Sequence, residues 1–274
     1  MKRIILMLGM LVCLLAAHVV FSQTGVITYE SRVNLHRNIP ADRQEMKAMV
    51  PEFRVTKLQL FYNGEESLYK SVVEDEDEQF SSAGGGMRMT MRMPKTEMYT
   101  NSSSTSILMV QEFMGKKYLI QDSVKMSPWK FGTETKEILG YTCHMAYFSR
   151  EEEVPVMRMQ MSSGPPPTAS GTAPATPPSP EKRTIEITAW YTDQIRPSLG
   201  PDRYNTLPGT VLAIDVNNGE RVLVARQVEQ RELKKNELYV PDSGTKVTQE
   251  EYRKTMEEQM QKMRANGGGM FIRN

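Results

Sequence analysis

Residues 57–69 read Lys-Leu-Gln-Leu-Phe-Tyr-Asn-Gly-Glu-Glu-Ser-Leu-Tyr, and this stretch decides the fold class. Two short runs of strand-forming residues flank Asn63-Gly64. Asn-Gly is the dipeptide most typical of a two-residue β-hairpin, because both of its residues tolerate a positive φ. We therefore expect two antiparallel strands joined by a tight turn.

The same signal recurs on both sides of this hairpin. Apolar side chains at positions 27, 29, 33 and 35 fall on one face of an extended chain. Apolar runs also flank a turn near Gly115 and the turn Asn217-Asn218-Gly219. Hairpins join neighbouring strands in antiparallel fashion, and little helical pattern lies between them. The predicted fold class is mainly β, with antiparallel strands.

One helix is predicted near the C-terminus. Thr248 and Glu251 have the spacing of a capping box, and Asn266-Gly267 supplies the stop. An apolar stripe follows the helical period at Tyr252, Met256, Met260 and Met263. The stripe favours a surface helix docked for stability, and a helix that closes one mouth of the sheet is the alternative.

The N-terminus has the pattern of a signal peptide. Lys2 and Arg3 precede an apolar run from Ile4 to Leu15, and Ser22 is a small residue at a plausible cleavage point. We predict a signal peptide over 1–22 and a single β-rich domain over 23–274. The alternative is an uncleaved anchor, which needs about 20 apolar residues, whereas His18 interrupts the run early.

Charge and composition exclude some partners. The chain has 34 basic and 33 acidic residues, so loss of Lys2 and Arg3 leaves 32 against 33. This balance gives no electrostatic basis for nucleic-acid binding. No later segment is apolar enough to be a transmembrane span, so the mature protein is expected in the periplasm, at the outer-membrane periphery or secreted.

Two insertions interrupt the strand pattern. The Pro-rich segment 162–182 has no apolar residues to bury, and the acidic and Gly-rich segment 74–86 begins with five consecutive acids. We predict that both are disordered loops. Consecutive carboxylates are usually solvated, and calcium binding by the acidic run is the alternative.

Catalytic residues are scarce. Beyond the predicted leader the only histidines are His36 and His144 and the only cysteine is Cys143. Cys143 and His144 are adjacent on a predicted strand, so their side chains point to opposite faces and cannot form a nucleophile and base pair. We predict no catalytic, cofactor-binding or metal-binding residues. Cys143 is predicted to be a small buried residue among apolar neighbours at positions 139, 141, 145 and 147, with an exposed thiol as the alternative.

Methionine is the one compositional excess, with 21 residues. Methionines alternate with other residues over 87–93 and over 157–161. As strands, these rows would line up thioethers, which are soft ligands that select Cu(I). An adaptable apolar surface is the simpler interpretation, and a Met-rich copper-binding periplasmic protein is the alternative.

Four stretches resemble, in order and spacing, the GLPGLI family of exported Bacteroidota proteins: 136–143, 189–192, Gly200-Pro201 and 204–211. At the eponymous motif the chain reads Thr206-Leu207-Pro208-Gly209-Thr210-Val211, which keeps Leu-Pro-Gly and departs at the other three positions. The resemblance implies an envelope location and a curved sheet of bowl or half-barrel type. It implies no activity. Physically, Pro208-Gly209 predicts a tight turn into the next strand, with a binding loop as the alternative.

A curved sheet of this type has a concave face on which aromatic side chains could bind a ligand. Trp129, Trp190, Tyr191 and Phe131 are the candidates, and ordinary core packing is the alternative. The leading prediction is a noncatalytic binding or structural module of the cell envelope that takes an apolar, glycan or peptide ligand or an envelope protein partner. A hydrolase has the least support, because no set of acid, base and nucleophile is recognisable.

The leader gives the first testable prediction. Protein recovered from a fractionated native host should begin at Gln23, because cleavage is expected after Ser22. N-terminal sequencing of the purified protein measures this directly. An intact Met1 on protein from the cytosol would contradict it.

Overall fold

A computed structural model describes residues 24–39, 41–48, 50–72, 97–154 and 181–265. Two short 3-10 helices, Leu35–Asn38 and Ala41–Ala48, connect the first two strands, so the strand pattern ends one residue before Leu35. The strands are β1 Thr24–Asn34, β2 Phe53–Asn63, β3 Glu66–Ser71, β4 Glu97–Asn101, β5 Ser106–Phe113, β6 Lys116–Ser123, β7 Lys130–Ile138, β8 Tyr141–Val154, β9 Glu181–Thr192, β10 Thr210–Val216, β11 Arg221–Gln230 and β12 Thr245–Thr248. The helix α1 spans Gln249–Ala265.

All described strands belong to one sheet, in the order β12-β6-β5-β4-β3-β2-β1-β11-β10-β9-β8-β7. Neighbouring strands are antiparallel except for β12, which pairs with β6 in parallel. The sheet is open, because β12 and β7 are its two edges. The mainly β antiparallel class with one C-terminal helix is confirmed.

The chain between β6 and β7 forces this sheet to curl. These strands lie ten places apart in the sheet, and ten spacings of a flat sheet would span about 48 Å. Only residues 124–129 connect Ser123 to Lys130, and seven extended Cα steps reach at most about 25 Å. The two sides of the sheet must therefore approach each other, which gives the curved sheet that the sequence resemblance implies.

The predicted hairpin turns form where the sequence places them. Gly64 joins β2 to β3 at φ 57°, and Asn217 and Asn218 join β10 to β11 at φ 51° and 48°. These are the left-handed conformations that Asn and Gly adopt at least cost. The turn near Gly115 joins β5 to β6, with Met114 and Gly115 both at positive φ.

The concave face holds the main core. Paired residues share a face, and the buried row Ile27, Leu60, Tyr69 and Met98 runs across β1 to β4. Residues of both sides of the sheet, among them Ile107 and Phe148, join one cluster. The curl is what brings β5 and β8 into the same core.

Part of the convex face is covered by residues 231–244, which run irregularly from β11 to β12 and are called the strap. Lys70 connects the two layers: its Nζ donates to the Glu237 carbonyl oxygen at 3.3 Å and lies 4.8 Å from the rings of both Phe61 and Tyr239. Several apolar side chains of this face are buried: Val26, Phe61, Leu68, Tyr99 and Leu119.

Helix α1 begins with the predicted capping box. The Glu251 carboxylate accepts from the Thr248 N–H at 2.7 Å, and the Thr248 hydroxyl accepts from the Glu251 N–H at 3.2 Å. The ring of Tyr252 packs edge-on against Tyr118 of β6, with centroids 5.3 Å apart. Met256 also packs against this second cluster, whose members Met109 and Ile120 continue the concave row across β5 and β6, so the stripe docks the helix on the sheet.

The predicted alternation of buried side chains along β8 is wrong in part. The buried side chains of β8 are Cys143, Ala146 and Phe148, so its alternation shifts after Cys143. Tyr147 and Leu139, expected to share the buried face, are 42% and 47% exposed. The pairing of β7 with β8 is irregular between Phe131 and Thr135. Such an irregularity re-aims neighbouring side chains.

Several sequence predictions lie outside the described residues. These are the signal peptide 1–22, the methionine rows at 87–93 and 157–161, the insertion near 74–86 and most of that near 162–182, whose last two positions begin β9. Within the described ranges, none of the helices has the length and apolar character to cross a membrane.

The strap gives a pH-dependent prediction. Hydrogen bonds from Arg231 lower the pKa of Glu237 from 4.5 to about 2. A pKa that is lower in the folded state adds stability above pH 4.5, and this stability is lost as the pH falls from 4.5 towards 2. Glu237→Gln should lower the free energy of unfolding at pH 7 by about 1 kcal/mol.

Urea unfolding of wild type and variant across pH 2 to 7 tests this, because their stability difference should shrink at acid pH. The matched control is Glu232→Gln, an exposed position of the same strap. A difference between Glu237→Gln and wild type that stays constant with pH would contradict the assignment.

Candidate functional site

Residues 193–209, between β9 and β10, fold into the concavity of the sheet and are called the plug. Its buried side chains are Ile195, Leu199, Tyr204 and Leu207, all members of the main core. The plug therefore occupies much of the concave surface that the sequence suggested for a ligand.

Hydrogen bonds tie the first half of the plug to the start of β10. The Thr210 hydroxyl donates to the Ile195 and Pro197 carbonyl oxygens at 3.2 and 2.8 Å, and the Val211 N–H donates to Leu199 at 2.8 Å. Thr210 is fully buried, so its hydroxyl depends on these partners. The first turn of the plug is tied directly to the strand that follows it.

The middle of the plug is tied to the far side of the sheet. Arg203 forms an ion pair with Asp122 of β6 at 2.7 Å and donates to Gln249 of α1 at 3.0 Å. Trp129, in the link that precedes β7, donates from its indole Nε1 to the Thr206 hydroxyl at 3.0 Å. The plug thus bridges the strands that the curl brings together.

The surroundings of Gly209 explain why the Leu-Pro-Gly motif needs a glycine at this position. Leu207 is buried, Pro208 is exposed, and β10 begins right after Gly209. Gly209 is not among the residues at positive φ. An added Cβ would instead collide with the backbone carbonyl of Thr192. The glycine is needed for close approach of two backbone segments, which corrects the turn-geometry reason inferred from the sequence.

The aromatic residues proposed to bind a ligand divide between core and surface. The Trp129 ring packs edge-on against Phe148 at 4.6 Å and against Tyr204 at 6.4 Å, so it belongs to the core. Trp190 is partly buried beneath the Lys136 ammonium, 4.1 Å from its ring. Phe131 contacts Tyr191 and is 60% exposed. Phe131 is therefore the one of the four aromatics whose ring is mainly exposed to solvent.

A polar cluster lies where the plug meets the other end of the concave face. Asp202 of the plug and Arg221 of β11 form an ion pair at 3.3 Å, and each side chain is about a third exposed. Tyr69 and Tyr204 lie beside this pair and are 5% and 8% exposed. Asp202 has φ 56°, a left-handed conformation in which the ion pair helps to hold it.

Burial dominates the electrostatics of this cluster. It raises the pKa of Tyr69, and the charge of Asp202 raises that pKa further, while Arg221 opposes both. Burial and Asp202 also raise the pKa of Tyr204. Both phenols therefore remain neutral hydrogen-bond donors at physiological pH. The Tyr69 hydroxyl faces the Arg221 guanidinium, whose charge and hydrogen bonding both lower its pKa.

Cys143 is fully buried, as predicted. Burial raises the pKa of its thiol to about 11, and the thiol donates to the Tyr141 carbonyl oxygen at 3.5 Å. The adjacent His144 packs instead on the ring of Tyr191, 5.9 Å away. A protonated, buried thiol is a poor nucleophile. Within the described residues, no group of three or more His, Cys, Asp or Glu side chains is placed to hold a metal ion.

Sequence reasoning missed the polar cluster. Its members come from β3, the plug and β11, which are distant in the chain. The only available signal was polar residues at positions of the strand alternation that face inward, such as Arg221 two residues before the buried Leu223. Without knowledge of which strands pair, that signal cannot be distinguished from an ordinary solvent-facing residue.

A known family matches part of the chain by sequence, and solved structures match most of the chain by fold. Residues 129–213 match a family described as "Protein of unknown function (Porph_ging)". This span runs from the partly buried Trp129 through the plug to β10. No curated protein matched the chain.

Two solved structures of PNGF-II, in space groups P21 and C2, resemble the fold. Each has a TM-score of 0.52 and 15% sequence identity over 86% of this chain. This chain spans about a third of PNGF-II, with 34% and 33% of that chain covered. At this identity the likeness concerns the fold alone.

The packing of the plug predicts that Gly209→Ala destabilises the protein by about 1–3 kcal/mol, because the methyl group meets rigid backbone. Gly132→Ala is the matched control, since its methyl group would meet only the flexible end of Met145. Chemical denaturation of both variants measures the effect. Equal loss of stability in the two variants would contradict the close approach at Thr192.

Proposed function

We propose that this chain is an exported, noncatalytic binding module of the bacterial cell envelope, related to the GLPGLI type. The observation that carries the proposal is the filled bowl with a polar opening at one end. A rigid scaffold that presents a few polar groups beside a packed core is the usual construction of a binding site.

The chemistry of the described residues favours binding over catalysis. The Cys143 thiol is buried and protonated at physiological pH. His144 packs on an aromatic ring, and Asp202 is engaged by Arg221. These groups offer no nucleophile with an adjacent free base.

The envelope assignment rests on the sequence. The pattern of residues 1–22 is that of a signal peptide. The motif residues quoted for the GLPGLI resemblance, 136–143, 189–192, 200–201 and 204–211, all lie inside the span 129–213 that matches the family of unknown function. Both lines support an exported module.

The test is to identify what the protein carries in its native host. Mature protein would be purified from the envelope fraction without denaturants, then denatured, and the released small molecules identified by mass spectrometry. Protein denatured, washed and refolded is the control. We expect one molecular class to be released by the native sample and to raise the melting temperature of the refolded sample when added back.

Two results would overturn the proposal. One is recovery of the protein in the cytosol with its leader intact. The other is a native sample that releases the same molecules as the refolded control and has the same melting temperature.

A further inference from the structure

A second surface with aromatic and polar side chains lies at the β7 edge, on the same face as the core. Thr135 of β7, His144 of β8 and Tyr191 of β9 pair in succession, so their side chains share this face. Four strand spacings separate β7 from β11, which carries the polar opening. The surface is called the aromatic ledge, and it consists of Phe131, Thr135, His144, Tyr191 and Asp193.

The Phe131 ring is exposed to solvent but held in position. It meets Tyr191 edge-on, with centroids 6.2 Å apart, and it pairs with Ala146, which is buried and too small to cover it. Tyr191 is itself held by the ring of His144 at 5.9 Å and by the backbone at Gly209, where an added Cβ would lie 3.0 Å from the Tyr191 ring. A positioned aromatic ring can bind a ligand surface with little loss of side-chain entropy.

Polar groups surround this ring. Asp193 is exposed and directly follows β9. Burial raises the pKa of Tyr191, and the negative charge of Asp193 raises it further, so the carboxylate lies close to the phenol. Within the described ranges, the side chains of Asp193, His144 and Thr135 form neither ion pairs nor hydrogen bonds. The ledge therefore offers hydrogen-bonding groups beside an apolar ring.

These groups discriminate between ligand classes. A wholly apolar ligand would remove water from the Asp193 carboxylate without replacing its hydrogen bonds. An anionic ligand would be repelled by the same carboxylate. A peptide strand added to the edge needs a regular ladder, whereas the pairing of β7 is irregular between Phe131 and Thr135. A neutral sugar satisfies both requirements, because it has an apolar C–H face and hydroxyl donors.

We propose that the aromatic ledge binds a neutral sugar ring, with Phe131 stacked on its C–H face and Asp193 accepting hydrogen bonds from its hydroxyl groups. Hydrogen bonds to a carboxylate are stronger than those between neutral groups. The Thr135 hydroxyl and the His144 imidazole supply further polar contacts at the rim. This goes beyond the proposed binding function, since it assigns a ligand class to a surface outside the polar opening.

The experiment titrates neutral methyl glycosides of glucose, galactose, mannose and N-acetylglucosamine into the mature protein, followed by NMR of the backbone amides. At least one glycoside should bind with a roughly millimolar Kd and shift amides of the ledge. Glycerol has hydroxyl groups but no apolar ring face, and tetramethylammonium tests for a cation site. Failure of all the glycosides, or equally tight binding of either control, would overturn the proposal.

Substitution of Phe131 tests the role of its ring. Phe131→Ala should weaken binding by about fivefold, and the fold should persist because the ring is 60% exposed. Phe131→Trp keeps an aromatic face and should retain binding. Tyr147→Ala is the matched control, since it removes a 42% exposed aromatic ring from the opposite face of β8. Unchanged affinity in Phe131→Ala, or an equal loss in Tyr147→Ala, would overturn the assignment.

Asp193→Asn tests the polar contact. It keeps the size of the side chain and removes its charge, so it should weaken sugar binding several-fold. The melting temperature should stay at the wild-type value, because Asp193 is exposed. Unchanged affinity would overturn the role of Asp193.

The test of the ledge is independent of the test of the proposed function. If no glycoside binds although native protein releases a ligand, the sugar inference fails and the proposed binding function stands. If a glycoside binds through Phe131 but native protein releases nothing, the reverse holds.

Discussion

The six residues that connect β6 to β7 are the constraint on which the rest of the structure depends. They join strands ten places apart in one sheet, so the sheet can only form if it bends until its two sides approach. Bending creates a concave face whose apolar residues need a partner. The plug supplies that partner, and its buried side chains complete a core drawn from both sides of the sheet.

Filling the bowl decides where function can reside. The plug takes the apolar centre, and the strap covers part of the convex face. Among the described residues, the concave side keeps a polar opening, where Asp202 of the plug meets Arg221. The same segment that completes the core therefore positions the candidate site. A change in plug packing is expected to alter stability and binding together.

Much of the fold could be predicted from local sequence because hairpins and caps are local. Asn63-Gly64 and Asn217-Asn218 mark their turns, and Thr248 with Glu251 marks the start of α1. The plug could not be predicted, since residues 193–209 have no periodicity and their burial depends on the curl. The polar cluster could not be predicted either, because Tyr69, Asp202 and Arg221 lie far apart in the chain and meet only in the folded sheet.

The central claim is that the plug is an integral part of the core. Amide hydrogen exchange across the plug tests this claim most directly. The Val211 and Tyr204 amides are hydrogen-bonded to plug carbonyls at 2.8 and 3.2 Å. They should exchange as slowly as the amide of the buried Ile27 in central strand β1, because all three open only on global unfolding. Exchange at these two amides orders of magnitude faster, with Ile27 still protected, would contradict a filled bowl.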